Sequence, residues 1–217
     1  MGKMAVLIVD VQKALVEAHP YREEEFLQEL ENLADSARKA GTEIIYVRHD
    51  GGAGDKLESG TEGWKIHEAV EPKTGERIFD KSFNSAFLET DLEEYLKEKQ
   101  ITDLILMGMQ TEYCIDATCK AAFELGYGVV IPTGATTTYD NEFMSGEATV
   151  RFYEEKIWAG RFADLMPAEA VLVCWAADRG SRRMDMPACP SGSLTAEIIM
   201  TGWEGRDGRT DTCRTAL

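Results

Sequence analysis

No apolar run in the 217-residue chain approaches the roughly 20 residues that cross a bilayer, so a membrane-spanning protein is not expected. Cysteines are few and unpaired in pattern. The five, Cys114, Cys119, Cys174, Cys189 and Cys213, are odd in number and form no Cys-x-x-Cys unit, which argues against a disulfide framework and a structural zinc. Free thiols in a reducing compartment fit better. Basic residues are scarce: 23 Lys and Arg face 39 Asp and Glu, and a formal charge of −16 would repel a phosphate backbone, so nucleic acid is not an expected partner. No Gly-x-Gly-x-x-Gly loop follows the first apolar run, where the chain reads DVQKALVE, so the phosphate cradle of a dinucleotide-binding or flavodoxin-like module is missing. The opening MGKMAVLIVD has no signal-like cleavage site after it, and Val6 stands where a myristoylation signal would need Ser or Thr. A cytoplasmic location is the expectation.

With 44% hydrophobic and 29% charged residues, the chain has the composition of one globular domain with a sizeable core. Met4 to Val9 is a continuous apolar run, as expected of a strand covered on both faces of a parallel sheet. After Pro20, an acidic first turn and the helical spacing of Phe26, Leu30, Leu33, Ala34 and Ala37 predict a helix that Gly41 ends. EIIYVRHD from Glu43, the short run Arg77 to Phe79, DLILMG from Asp103 and YGVVIP from Tyr127 read as further strands. Helices are predicted at Asp91 to Lys99, from Cys114 to a cap at Gly126, and at Glu142 to Trp158, with a last short strand in RFADLMP. This alternation predicts a three-layer α/β/α sandwich around a mostly parallel, Rossmann-like sheet.

The α/β domain is assigned to residues 1–176. Residues 177–217, rich in arginine and free of lysine, break with that pattern and are read as an extension of atypical composition, weakly ordered or accessory. Between the second and third strands, GGAGDKLESGTEGW is too long for a simple turn, and loops of this length in compact domains are often functional.

In an open parallel sheet, ligands bind outside the carboxyl ends of the strands. Asp10 lies at one such end, Lys81 just past another and Cys114 past a third. A thiol, a carboxylate and an ammonium sharing one crevice are the groups that nucleophilic catalysis needs. Lys81 and a helix start would favour the Cys114 thiolate, and Asp10 would take the thiol proton and pass it to a leaving nitrogen. Of the three histidines, His19, His49 and His67, none is placed to force a Cys-His pair; His49, beside Asp50 at a strand end, is the best rival base.

IVDVQ around Asp10, DKSFNSAF around Lys81 and GMQTEYCIDATCKAAFELGY around Cys114 resemble the three signature segments of the isochorismatase-like cysteine hydrolase superfamily, which includes nicotinamidases and N-carbamoylsarcosine amidase. The resemblance runs from about Met4 to Leu172. It implies an Asp10, Lys81, Cys114 triad, a non-proline cis peptide before Gln110, and an oxyanion hole made by the backbone N–H groups of Gln110 and Cys114. It also implies a small-molecule substrate, a cysteine thioester intermediate and a homo-oligomer, dimeric or tetrameric. The Asp-x-His metal motif of nicotinamidases is absent from RHDGGAGDKLESG, so the resemblance points to the metal-free branch, with no cofactor; His49, Asp50, Asp55 and His67 match no recognised metal-site spacing.

Gln12, Trp64, Phe87 and Tyr113 are candidate pocket residues for a small planar amide, since aromatic walls with a few polar groups suit such a ligand. Two other readings stay open. One is vinyl ether hydrolysis of the isochorismatase type, in which the acid protonates substrate and the cysteine is dispensable. The other is a catalytically silent binding protein on the same fold.

Overall fold

The computed structural model describes residues 3–171. The extension expected at 177–217, and with it Cys189 and Cys213, lies outside the described residues, as does Cys174. The strands are β1 (Lys3–Val9), β2 (Glu43–His49), β3 (Arg77–Lys81), β4 (Ile101–Met109), β5 (Gly128–Thr133), β6 (Thr136–Thr137) and β7 (Asp164–Pro167). They form one sheet in the order β3-β2-β1-β4-β5-β7, with β6 pairing β4, and every pairing is parallel. After two strands, β2 and β3, laid outward from β1, the chain returns to β1's other side with β4. In open parallel sheets such a reversal, here between β1 and β4, is where ligands are bound outside the carboxyl ends of the strands.

Helices cover both faces, as the alternation predicts. From α1 (Lys13–Val16) and α2 (Glu23–Ala40), Leu15, Val16, Phe26, Leu30, Leu33, Ala34 and Ala37 pack with Val6 and Ile8 of β1. From α3 (Leu92–Glu98) and α4 (Asp116–Glu124), Leu92, Leu96, Cys119 and Ala122 pack on Ala5, Leu7 and Val9 of the same strand. Successive side chains of a strand point to opposite faces, so one run of apolar residues serves two cores.

Several elements differ from the sequence reading. Cys114 does not open α4; it lies in a turn of π-helix, Thr111–Ile115, that precedes it. The helix expected at Glu142 begins later, as α5 (Gly146–Phe152), because Ser145 caps it through a bond from Ala148 N–H at 3.2 Å. Asn141 and Asp140 organise the preceding turn, accepting from the N–H groups of Phe143, Met144 and Gly146. The backbone then widens into a second π turn, Tyr153–Trp158, where buried Trp158 donates its indole N–H to Asp116 at 3.0 Å. The four-residue α1 and the two-residue β6 carry too few residues for any periodicity and were not expected.

Candidate active site

Asp10 follows β1 with φ of 55°, in the left-handed region, where Asp is tolerated better than bulky residues. Its N–H is held by Val47 O at 2.9 Å. Lys81 is the last residue of β3, and its partner in the β2 ladder is His49. Cys114 sits one π turn past the end of β4, and the Met109–Gln110 peptide leading into that turn is cis. The Gln110 carbonyl accepts from Tyr113 N–H at 3.2 Å and Ile115 N–H at 3.1 Å, which ties Gln110 to the turn carrying the thiol.

The three strand-end groups meet. Lys81 Nζ donates to Asp10 Oδ2 at 2.7 Å and to Cys114 Sγ at 3.2 Å, and it stands 3.2 Å from His49 Nδ1. Asp10 and Lys81 are 1% and 2% exposed and Cys114 is 9% exposed, so Cys114 is the least enclosed of the three. Asn84 Oδ1 lies 3.8 Å from that sulfur.

Burial decides the protonation of the cluster. It pushes the Cys114 thiol up to about 12, with the Asp10 charge adding to the shift and Lys81 opposing it. This corrects the expectation of a thiolate favoured at rest: Cys114 does not sit on an exposed helix start, and desolvation outweighs the ammonium. Burial likewise raises Asp10 above the ordinary carboxylate value, against the pull of Lys81. With an ammonium, a carboxylate and a thiol, the cluster is neutral. Loss of the thiol proton to water would leave a buried net charge, whereas its transfer to Asp10 leaves the total unchanged.

Ligating atoms of Asp10, His49 and Cys114 all lie within 4.8 Å of one another, a donor set that could suit a borderline metal. The position that faces all three is taken by Lys81 Nζ, so the residues present fit an ammonium better than a cation of higher charge. The other imagined ligands shape backbone instead. Asp50 accepts from Gly52 and Ser59 N–H, Asp55 accepts from Leu57 N–H, and His67 Nδ1 accepts from Ala69 N–H.

The candidate pocket residues separate. Gln12 is 0% exposed and its amide is spent on backbone: Nε2 donates to His49 O and Trp64 O, and Oε1 accepts from His49 N–H, each at 2.9 Å. It pins the glycine-rich loop to the end of β2. Trp64 lies in that loop beneath the Arg48 guanidinium, 3.6 Å from the ring centroid, and its buried indole N–H has no partner among the described residues. Tyr113, beside the thiol, is 53% exposed. Phe87 is half-buried against the core layer that also contains Cys114, and its ring stacks on Tyr127 at 5.9 Å.

Asn84 was not among the expected site residues, and His49 was weighed only as a rival base and an imagined metal ligand. Asn84 had a signal, since it falls three residues after Lys81 inside DKSFNSAF. The signal for His49 was its place at the end of β2, beside the Lys81 strand.

Acid, ammonium and thiol are thus gathered at the carboxyl ends of the strands of a parallel α/β fold. The chain belongs to the isochorismatase family: the Isochorismatase domain model matches residues 4–169. Over 139 residues it is 37% identical to a streptothricin hydrolase of Streptomyces noursei, an alignment covering 63% of this chain and 50% of the relative. The chain thus spans about half the length of that relative. It is 29% identical over 161 residues to Nicotinamidase 3 of Arabidopsis thaliana, covering 67% and 78% of the two chains. A solved isochorismatase family protein superposes with a TM-score of 0.70 at 29% identity, over 75% of this chain and 97% of that one. Membership of the isochorismatase family is what the matched domain model shows, and the relative named nicotinamidase shares that membership at the stated identity. Among the described residues, no helix is long and apolar enough to cross a membrane.

Proposed function

We propose that the protein hydrolyses an amide-type C–N bond of a small molecule, with Cys114 as nucleophile, Asp10 as proton carrier and Lys81 as the fixed cation between them. The observation that carries this reading is the pair of bonds from one ammonium, to Asp10 at 2.7 Å and to Cys114 at 3.2 Å. Relatives named streptothricin hydrolase and nicotinamidase support C–N chemistry over the ether alternative.

In the first half-reaction the Cys114 S–H proton moves to Asp10 as sulfur bonds to the substrate carbonyl carbon, whose π electrons pass to oxygen. Backbone N–H groups of Gln110 and Cys114 are assigned to that oxyanion; one such donor is commonly worth about 2.7–4 kcal/mol of barrier. The oxyanion collapses, the C–N bond breaks, and Asp10 returns its proton to the leaving nitrogen, leaving a thioester. In the second half-reaction water gives a proton to Asp10 and its oxygen to the acyl carbon. The C–S bond then breaks, the sulfur regains the proton, and the acid departs. The site's total charge stays at zero throughout; while the oxyanion exists the negative charge has moved from Asp10 to that oxygen, which is why its donors matter. Lys81 neutralises one negative charge throughout, so no metal is assigned. Tyr113 at the mouth and Trp64 in the loop are assigned to substrate contact; Gln12 acts by holding the loop.

The test is ammonia or amine release from a panel of small primary and cyclic amides by the full chain and by C114A. The expected result is turnover of at least one amide, reduced more than about a thousandfold in C114A, as for removal of other covalent nucleophiles. Amide turnover retained in C114A would overturn the nucleophile assignment.

A further inference from the structure

The Lys81 ammonium carries three hydrogens and has three acceptors around it: Asp10 Oδ2, Cys114 Sγ and His49 Nδ1. An ammonium has no lone pair, so across the 3.2 Å separation His49 Nδ1 can only accept, and the neutral ring must carry its proton on Nε2. We infer that His49 is a positioning residue of this site: by taking the third Lys81 N–H it aims the other two at the carboxylate and the sulfur. The catalytic meaning of this role rests on the cysteine hydrolase reading above; the hydrogen-bonding role does not.

Three further observations support it. First, His49 and Lys81 are ladder partners in β2 and β3, so the contact is set by strand register and not by a mobile loop. Second, the backbone of His49 is pinned on its other side by Gln12, which accepts from its N–H and donates to its carbonyl. Third, the Lys81 side chain is 0% exposed, so no water can serve as the third acceptor in place of the imidazole. A lysine ammonium turns freely about its last bond, and two acceptors leave one hydrogen to compete for them; a third acceptor removes that freedom. The same geometry argues against His49 as the base, because the lone pair facing the cluster is already spent on Lys81. The charged groups that act on the ring are Lys81, Asp10, Asp50 and Asp55, and burial together with Lys81 outweighs the three acids in holding it neutral.

The variants H49N and H49L separate the roles. Asn presents an oxygen close to the Nδ1 position, whereas Leu keeps bulk and offers no acceptor. With iodoacetamide as the probe of Cys114 in the full chain, H49L should be alkylated about 10–100-fold more slowly, the usual loss when an orienting partner is removed. H49N should stay close to the unsubstituted protein. Nitrogen-15 NMR of the unsubstituted imidazole should report the Nε2–H tautomer. Alkylation of H49L at the full rate, equal loss in both variants, or an Nδ1–H ring would each overturn the inference. If H49L fails to fold, judged by circular dichroism, H49N and the tautomer decide. Failure of the nucleophile reading looks different: C114A would retain amide turnover while the tautomer stayed as stated.

Discussion

Gly108 in β4 lies against Val9 in β1 with no room for a side chain: a Cβ there would stand 2.0 Å from Val9 O and 2.8 Å from Val9 N. Its φ of 129° is itself outside the range that side-chain-bearing residues favour. Both strands end in the site, one in Asp10 and the other in the cis peptide before the thiol turn.

Gly108→Ala should therefore act on catalysis through Asp10. Overpacking at such a contact costs about 1–3 kcal/mol, and the strand that must yield is the one carrying the proton carrier. Denaturant unfolding should show that loss, and amide turnover in the folded fraction should fall further than stability alone explains. An alanine variant with unchanged stability would contradict the close approach.

The protonation of the cluster predicts the pH response of Cys114. A thiol that ionises to water with a pKa of about 12 would react with iodoacetamide about tenfold faster for each pH unit up to that value. A thiol that hands its proton to Asp10 has a nucleophilic fraction independent of pH while the two share one proton. Alkylation should thus be flat between about pH 6 and 8, where simple thiols climb steeply. D10N should lose the plateau and show the steep rise.

Gln12→Leu removes three hydrogen bonds and leaves two His49 backbone groups and the Trp64 carbonyl without that partner. Net losses near 1 kcal/mol per bond predict destabilisation of about 2–4 kcal/mol. Limited proteolysis should show new cleavage within residues 51–64, the loop that Gln12 ties down. Intact resistance in that segment would mean the loop is held by something else.

The architecture was legible because its signals are local. The branched apolar runs of β1, β2 and β4 and the 3.6-residue spacing of α2 each need only a short window of sequence. Asp10, Lys81 and Cys114 were legible as strand-end residues, and parallel topology brings such ends together. What escaped depends on partners far along the chain. Gln12 looked like a pocket residue because its position is right; its amide is consumed by residues 37 and 52 positions away. The ring of Phe87 stacks on Tyr127, far along the chain, and Ala86 N–H bonds Thr118 at 3.0 Å, partners that no local window shows. The Cys114 thiol was expected to ionise easily from its neighbours in sequence, but its burial is a property of the assembled layers. His49 carried a strand-end signal of its own; only the ladder register shows which nitrogen faces what.

The strand that supplies Lys81 is the outermost of its side, since β3 pairs β2 alone among the described residues. Edges of sheets are where cooperative structure first lets go. Peeling back five residues, Arg77–Lys81, would withdraw the ammonium while β1 and β4 stayed paired. Inactivation by mild heat or denaturant can then precede melting of the rest, with turnover vanishing from molecules that still hold most of their native hydrogen-exchange protection.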